Sequence, residues 1–552
     1  MNRRSLLKSV FTQRNTILNS TLCGQTSSLA PYTGTWTYET AAHLLKRAMF
    51  GPTHQQIKQA VTDGLDATIA KLFTTLPEPL PPVNPNNSND PNVPIGSTWV
   101  DAPFDIDLAN YRISSLLSWT MKELYNEQVN IREKMTLFWY NHFVTQGILD
   151  ARIVYHNIKT YRQNALGNFK EFVKIVTIDP VMLTFLNGNE STKAAPNENY
   201  ARELLELFTI GKGPQIAPGD YTNYTETDIQ QMAKVLTGWR LNNAYIPGAV
   251  LNYGSFFTLN RHDTTTKVLS SKFNNTQIPN MGDQEYAFLI DTIFEQAEVA
   301  RFICRKLYRY FVFSNINDTI EQNIIQPMAN LLIANNYEIT PVLQALLKSE
   351  HFFDIEMRGL IIKPPIDFLI STLKIFNIPL PNATNLAKQY NTFKNIYEAT
   401  YALQQAYYDA PDVAGWKAYY QEPGYYHIWL SSVTLPLRIK IMNGLSTVGI
   451  PIAGTTYSID VLNFIQIFDD PSDPNLLIAD LIKLLFPFPL ADSQILQLKA
   501  ILLGGQSQDH YWTDAWVDYI NNPSNPLFVN TVKTKLNILF YSLTGLSEYQ
   551  LM

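Results

Sequence analysis

Between Pro196 and Phe208 the chain gathers Asn197, Glu198, Asn199, Arg202, Glu203 and Glu206 into one short stretch. Only 16% of the chain is charged, against about 25% in an average domain. Carboxylates and a guanidinium at that density have the chemistry for proton transfer, metal ligation or anion binding. Their spacing predicts a helix. Asn197 suits the N-cap, and Glu198 sits against the positive end of the dipole. Ala201, Leu204, Leu205 and Phe208 make an apolar stripe, with Asn199, Arg202, Glu203 and Glu206 beside it. One reading is a solvated face with ordinary ion pairs from Arg202 to Glu198 and Glu206, each worth about 0.2–0.5 kcal/mol. The other is a buried polar stripe held for chemistry.

Four further places carry candidate side chains. His142 shares a helix face with Ile131, Met135 and Phe138; it is either a satisfied core histidine or a ligand aimed into a polar pocket. Arg261-His262-Asp263 lies between two short strand-like runs. There the His and Asp could bind a metal, act as an acid/base pair, or cap a turn. Arg301, Arg305 and Arg309 recur every four residues with Lys306 beside them. That basic stripe could face the acidic stripe, hold an anionic group, or be solvated. His43 and Arg47 stand one turn apart, as a functional pair or as helix-end cations.

The elements that must position these groups are mostly helices. Two are predicted over 36–73, the first stopped by Gly51-Pro52 and the second capped by Thr53 with Gln56. Helices follow at about 107–126, 129–146, 151–164 and 167–178, the last broken at Asp179-Pro180. Residues 77–96 hold seven prolines and five asparagines and read as a long surface loop or lid. Thr225 opens another helix, and Gly238 with Trp239 ends it. Phe256–Leu259 and Lys267–Leu269 are predicted strands of a small β-ribbon near 249–273. Helix returns over 285–314 and 340–375. From about 378 the spacing loosens. Pro411–Trp416 is a turn presenting Trp416, and helices are expected at 425–443, 458–468, 475–486, 492–503 and 526–544. The fold class is mostly α, a multi-helix globular protein with one small β-ribbon. The division is an irregular tail over 1–35, a helical core over 36–376, and a C-terminal helical region over 377–552 packed on it.

The totals narrow the function. With 552 residues and 46% hydrophobic composition the chain can bury a large core. A net charge of −6 and the lack of basic tracts argue against nucleic-acid binding. Two cysteines, Cys23 and Cys304, exclude a disulfide framework or a cysteine zinc site. No run of apolar residues reaches the length of a transmembrane helix. The start, Asn2-Arg3-Arg4-Ser5-Leu6-Leu7-Lys8, resembles a twin-arginine export signal, but the apolar stretch stops at Phe11 and the signal is incomplete; a disordered basic tail reads as well. There is no P-loop, GxGxxG, GxSxG or HExxH motif.

Several segments agree in order with one known family. They include His43–Thr53, Arg132–Phe143, Asn197–Leu207, Leu236-Thr237-Gly238-Trp239, His262-Asp263 with Lys267, Ala300-Arg301-Phe302 with Arg305-Lys306-Leu307, Lys363-Pro364 and Ala414-Gly415-Trp416. From about residue 40 onward the chain resembles the bacterial family catalogued as domain of unknown function 1800. The resemblance implies no reaction. It implies export to the periplasm, cell surface or medium, and a possible partner that resembles sulfatases. The family usually has His where this chain has Tyr140, so a metal ligand at that position would be lost here.

Three functional expectations follow. The first is an exported accessory or binding protein that works with a sulfatase-like partner or on an extracellular polymer. The second is a metal-dependent hydrolase using a divalent metal. There Glu203, Glu206 and Arg202 are the catalytic candidates, Arg301, Arg305 and Trp239 bind substrate, and His142, His262 and Asp263 ligate the metal. That reading requires His142, Glu203 and His262 or Asp263 to meet in one pocket. The third is a structural surface protein, which asks for no cleft near these residues.

Overall fold

Short polar side chains start the helices, as their spacing predicts. The computed structural model describes residues 28–86 and 88–552; the twin-arginine segment and Cys23 lie outside the described residues. Thr53 accepts from the Gln56 backbone at 3.2 Å and Gln56 Oε1 accepts from the Thr53 N–H at 2.9 Å, a reciprocal capping box. It opens the His54–Asp63 helix. Gly64, at φ +83, then breaks the chain before Leu65–Leu72. Three helices therefore occupy 36–73 rather than two, the first being Tyr38–Ala48. A left-handed residue there ends one helix and begins another without a loop.

The N-terminal region continues through Ala109–Asn126, Arg132–His142, Ala151–Gln163 and Phe169–Thr177. Pro180 occupies the first turn of Pro180–Phe185, where its missing N–H costs nothing. Next come Glu198–Glu203, Glu226–Val235, Glu285–Ile293, Ala297–Phe311 and Pro365–Ile375. Beyond 378 the main helices are Leu386–Ala402, Thr434–Ser446, Pro474–Leu485, Asp492–Leu502, His510–Asn521 and Pro526–Gly545. Leu386–Ala402 and His510–Asn521 are absent from the sequence reading. Both carry Tyr, Thr and Asn within their length, which blur the helical period.

Among the described residues the sheets are two-stranded antiparallel ribbons. The strands expected within 249–273 form, but with other partners. Ser255–Phe257 pairs with Trp239–Leu241, and Lys267–Val268 pairs with Gln277–Ile278. Gly238, at φ +96, turns the chain so that 239–241 lies beside 255–257, and the Thr258 N–H donates to its carbonyl at 2.8 Å.

One apolar cluster runs from Ala41 to Met552 and draws on both halves. The halves are also tied by polar contacts. Lys363 N–H donates to Gln550 O at 2.8 Å, and the buried Arg438 guanidinium donates to Lys363 O at 2.9 Å. The Pro/Asn-rich segment lies packed down rather than open. Trp119 Nε1 donates to Leu80 O at 2.8 Å, and Arg112 pairs with Asp90 at 2.9 Å with both side chains buried. Among the described residues no helix is long and apolar enough to cross a membrane.

Candidate functional site

The acidic helix begins as expected. Asn197 accepts the Tyr200 N–H at 3.0 Å. After Glu203, however, the backbone widens into a π-helical turn over Leu204–Thr209. That register change breaks the four-residue spacing on which an Arg202–Glu206 pair depends. Arg202 instead holds Glu226 with two bonds, at 2.8 and 2.7 Å. Glu206 accepts from the Tyr224 hydroxyl at 3.1 Å and has Lys212 at 3.9 Å. Glu203 is half-buried, and desolvation, then the nearby Glu206 and Asp412 carboxylates, push its pKa up.

A π turn leaves carbonyls at its C-terminal end without partners from the helix itself. Two side chains take them. His142 Nε2 donates to Phe208 O at 3.0 Å, and Lys306 Nζ donates to Leu207 O at 3.0 Å. Lys306 also donates to His142 Nδ1 at 3.0 Å. This network assigns the proton of His142 to Nε2. Burial, and then the neighbouring Lys306, hold the His142 imidazole well below its usual range. Burial and then Arg309 pull the Lys306 ammonium down to about 7.

Around this pair opens a cleft of about 200 Å³. Four parts of the chain build it: the end of Arg132–His142, the π turn, the Ala297–Phe311 helix, and the loop from Ala414 to Tyr420. Asn141 fixes that loop by accepting the Trp416 N–H at 3.0 Å. Gly415, at φ +94, lies so close that a Cβ there would stand 2.3 Å from Asn141 Oδ1. Trp416 is accordingly buried, its ring centroid 5.7 Å from that of Tyr140, not presented to solvent. Tyr140 faces the same aromatic layer, and its hydroxyl donates to Thr145 O at 3.0 Å. Tyr140 thus lies beneath the loop.

The structure brings His142, Glu206 and Arg305 to one cleft. Arg305 is already committed there. Its guanidinium contacts Glu321 at 2.9 and 2.6 Å and Glu298 at 2.6 Å, and these carboxylates raise its pKa against the opposing desolvation. Arg301 pairs with Glu298 at 2.6 Å and does not line the cleft. The ion pairs of Arg301 and Arg305 therefore go to acids of their own and the next helix, not to the 198–206 stretch. Lys306 and Arg309 are different. Their hydrogen bonds go to neutral groups: Lys306 as above, and Arg309 Nε to Ser314 O at 3.3 Å.

His262, Asp263 and Trp239 belong to another place. His262 is fully buried. Its Nδ1 lies 2.9 Å from Thr237 O, and its Nε2 lies 2.9 Å from Glu285 Oε1. Glu285 Oε2 accepts from Lys267 Nζ at 2.5 Å. Asp263 accepts the Thr265 N–H at 2.8 Å, a turn cap. Trp239 packs edge-on against Phe257 and Tyr286. Among the described residues no three His, Cys, Asp or Glu side chains gather as a metal-binding group. The donor set of the cleft, one histidine and one carboxylate facing cations, does not fit a divalent metal either. Asn141, Tyr310, Tyr419 and Tyr420 also line the cleft without having been candidates; an Asn directly before His142 at a helix end was their nearest signal.

What these features define is a mostly helical protein with a cationic, aromatic-walled cleft between its two sequence halves. The chain belongs to the family described as a protein of unknown function (DUF1800), whose model matches residues 43–551. No curated protein and no solved structure matches the chain.

Proposed function

We propose that this protein is an exported binding protein whose cleft holds an anionic group of an extracellular polymer, in concert with a sulfatase-like partner. The observation that carries the reading is the contact set of Lys306 and Arg309. Both are cations lining one cleft, and both spend their hydrogen bonds on neutral atoms. An ammonium has three donors, and two of those on Lys306 are used. The third, together with the rest of the Arg309 guanidinium, serves an incoming oxyanion. Tyr419 and Tyr420 offer ring faces for a sugar or other flat unit beside it. Glu206 shares the cleft, but Tyr224 and Lys212 engage it.

The hydrolase reading requires His142, Glu203 and His262 or Asp263 together, whereas only His142 of these lines the cleft, and His262 and Asp263 bond to partners elsewhere. A purely structural role leaves the cleft without a purpose.

Calorimetric titration of the protein with dextran sulfate and with unsulfated dextran tests the proposal. Binding of the sulfated polymer alone, weakened about tenfold or more by Lys306→Met through loss of a charged hydrogen bond, is the expected result. Equal binding of both polymers, or an unchanged affinity in Lys306→Met and Arg309→Met, overturns it.

A further inference from the structure

A second cleft, of about 420 Å³, lies between the Tyr38–Ala48 and Pro474–Leu485 helices. It shares no residue with the first. Its volume falls in the range of about 300–1,000 Å³ typical of small-molecule sites. Ile482, Phe486, Phe488, Leu490 and Ile495 give it apolar walls. The wall is fixed in place: Gly359, at φ +69, packs so tightly that a Cβ there would stand 2.4 Å from the Phe488 ring.

Charged groups line it as well. Lys46, Arg358 and Lys483 line it, as do Glu39 and Met552, the residue that carries the terminal carboxylate of the sequence. His43, also at the lining, is spent, its Nε2 lying 3.0 Å from Phe352 O. Among the described residues Lys46 Nζ makes one hydrogen bond, a long one of 3.4 Å to Phe486 O, so most of its donor capacity is unspent there. Burial draws its pKa down to about 7, as happens to an ammonium that lacks a counter-ion. An apolar cavity with an underused amine matches a molecule with an aliphatic chain and one anionic end.

We propose that this cleft binds a medium-chain amphipathic carboxylate, with its chain along Ile482, Phe486 and Phe488 and its headgroup on Lys46 Nζ. A cationic amphiphile would meet the like charges of Lys46 and Lys483 there. A neutral one would leave the amine unpaired.

The test is calorimetric titration of the full chain with decanoate and with decanol, alongside Lys46→Met and Ala479→Trp. Ala479 is exposed at the cleft lining, so tryptophan can fill the space without disturbing the core. The expected result is saturable one-to-one decanoate binding, weakened about tenfold or more in Lys46→Met and abolished in Ala479→Trp. Decanol binding as tightly as decanoate, or decanoate affinity unchanged in either variant, overturns the proposal, as does an absence of saturable binding. If Lys46→Met fails to melt cooperatively, the Ala479→Trp arm decides alone.

Discussion

His142 and His262 look alike in sequence, each an isolated histidine beside other polar residues. The structure gives them opposite surroundings. Around His262 every polar neighbour is matched: a carbonyl on one ring nitrogen, the Glu285 carboxylate on the other, and Lys267 on the far oxygen. All three side chains are sealed from solvent. Around His142 the partners are a carbonyl and a lysine, with no carboxylate in the set, and the group borders open space. A closed, charge-balanced knot fixes structure; an open, cation-rich one has capacity left for a ligand.

The sharpest way to break that comparison is at Glu285. Glu285→Leu leaves Lys267 buried without its counter-charge and His262 Nε2 without its partner. The expected loss is about 3–5 kcal/mol of unfolding free energy, read from urea titrations. Adding Lys267→Met should restore much of it, because the two changes share one interaction. A loss below about 1 kcal/mol would mean that the knot is not what holds the 239–278 segment.

The cleft responds differently. Gly415→Ala places a methyl against Asn141 in a left-handed backbone, at an expected cost of about 1–3 kcal/mol. It should also displace the Ala414–Tyr420 loop and remove polymer binding, whereas the same measurement on Glu285→Leu, at temperatures where that variant is folded, should find binding retained. Lys306 gives a signed pH test. Its folded pKa is lowered to about 7 from an ordinary 10.5. Above about pH 10.5 the amine is neutral in both folded and unfolded chains and contributes nothing. As pH falls toward 7 the unfolded chain takes up a proton that the folded chain resists, so this lysine costs stability, fully so below about 7. The stability of Lys306→Met relative to wild type should therefore rise from pH 10 to pH 7. A flat difference would show that the two acceptors of Lys306 outweigh its burial.

Much of this was legible before the fold. Helix starts are local chemistry, so Thr53-Gln56, Asn197 and Thr225 announce themselves through side chains only three residues from the N–H they satisfy. Strand pairing was not: 255–257 and 267–268 are recognisable as strands, but their partners depend on a φ-positive Gly238 and on Asn274 and Asn275 at φ 56 and 54. The cleft was half legible. His142, Glu206 and Arg305 were named, while Lys306 and Arg309 were read as one stripe with Arg301 and Arg305. Which of those cations keeps its charge available depends on Glu298 and Glu321, and Glu321 lies on another helix, out of reach of periodicity. Arg47 is a like case. It behaves as a helix-end cation, but for the end of Ala297–Phe311, donating to Phe311 and Val312 carbonyls at 3.3 and 3.1 Å.

Arg202 sets the lower bound of the comparison. It stands in the stretch richest in chemistry-bearing residues, yet its bidentate pair with Glu226 is about a third exposed on both sides. Solvent screens such a pair, and ordering two long side chains opposes it. Arg202→Met should change unfolding free energy by at most about 1 kcal/mol and leave polymer binding as it is. Salt is the discriminating variable, since screening weakens an exposed pair far more than a buried one. The small effect of Arg202→Met should vanish at about 1 M salt, where the Glu285→Leu effect persists. If Arg202→Met instead removed binding at full stability, the acidic helix would be part of the ligand site, and the boundary drawn at the π turn would move one turn toward Asn197.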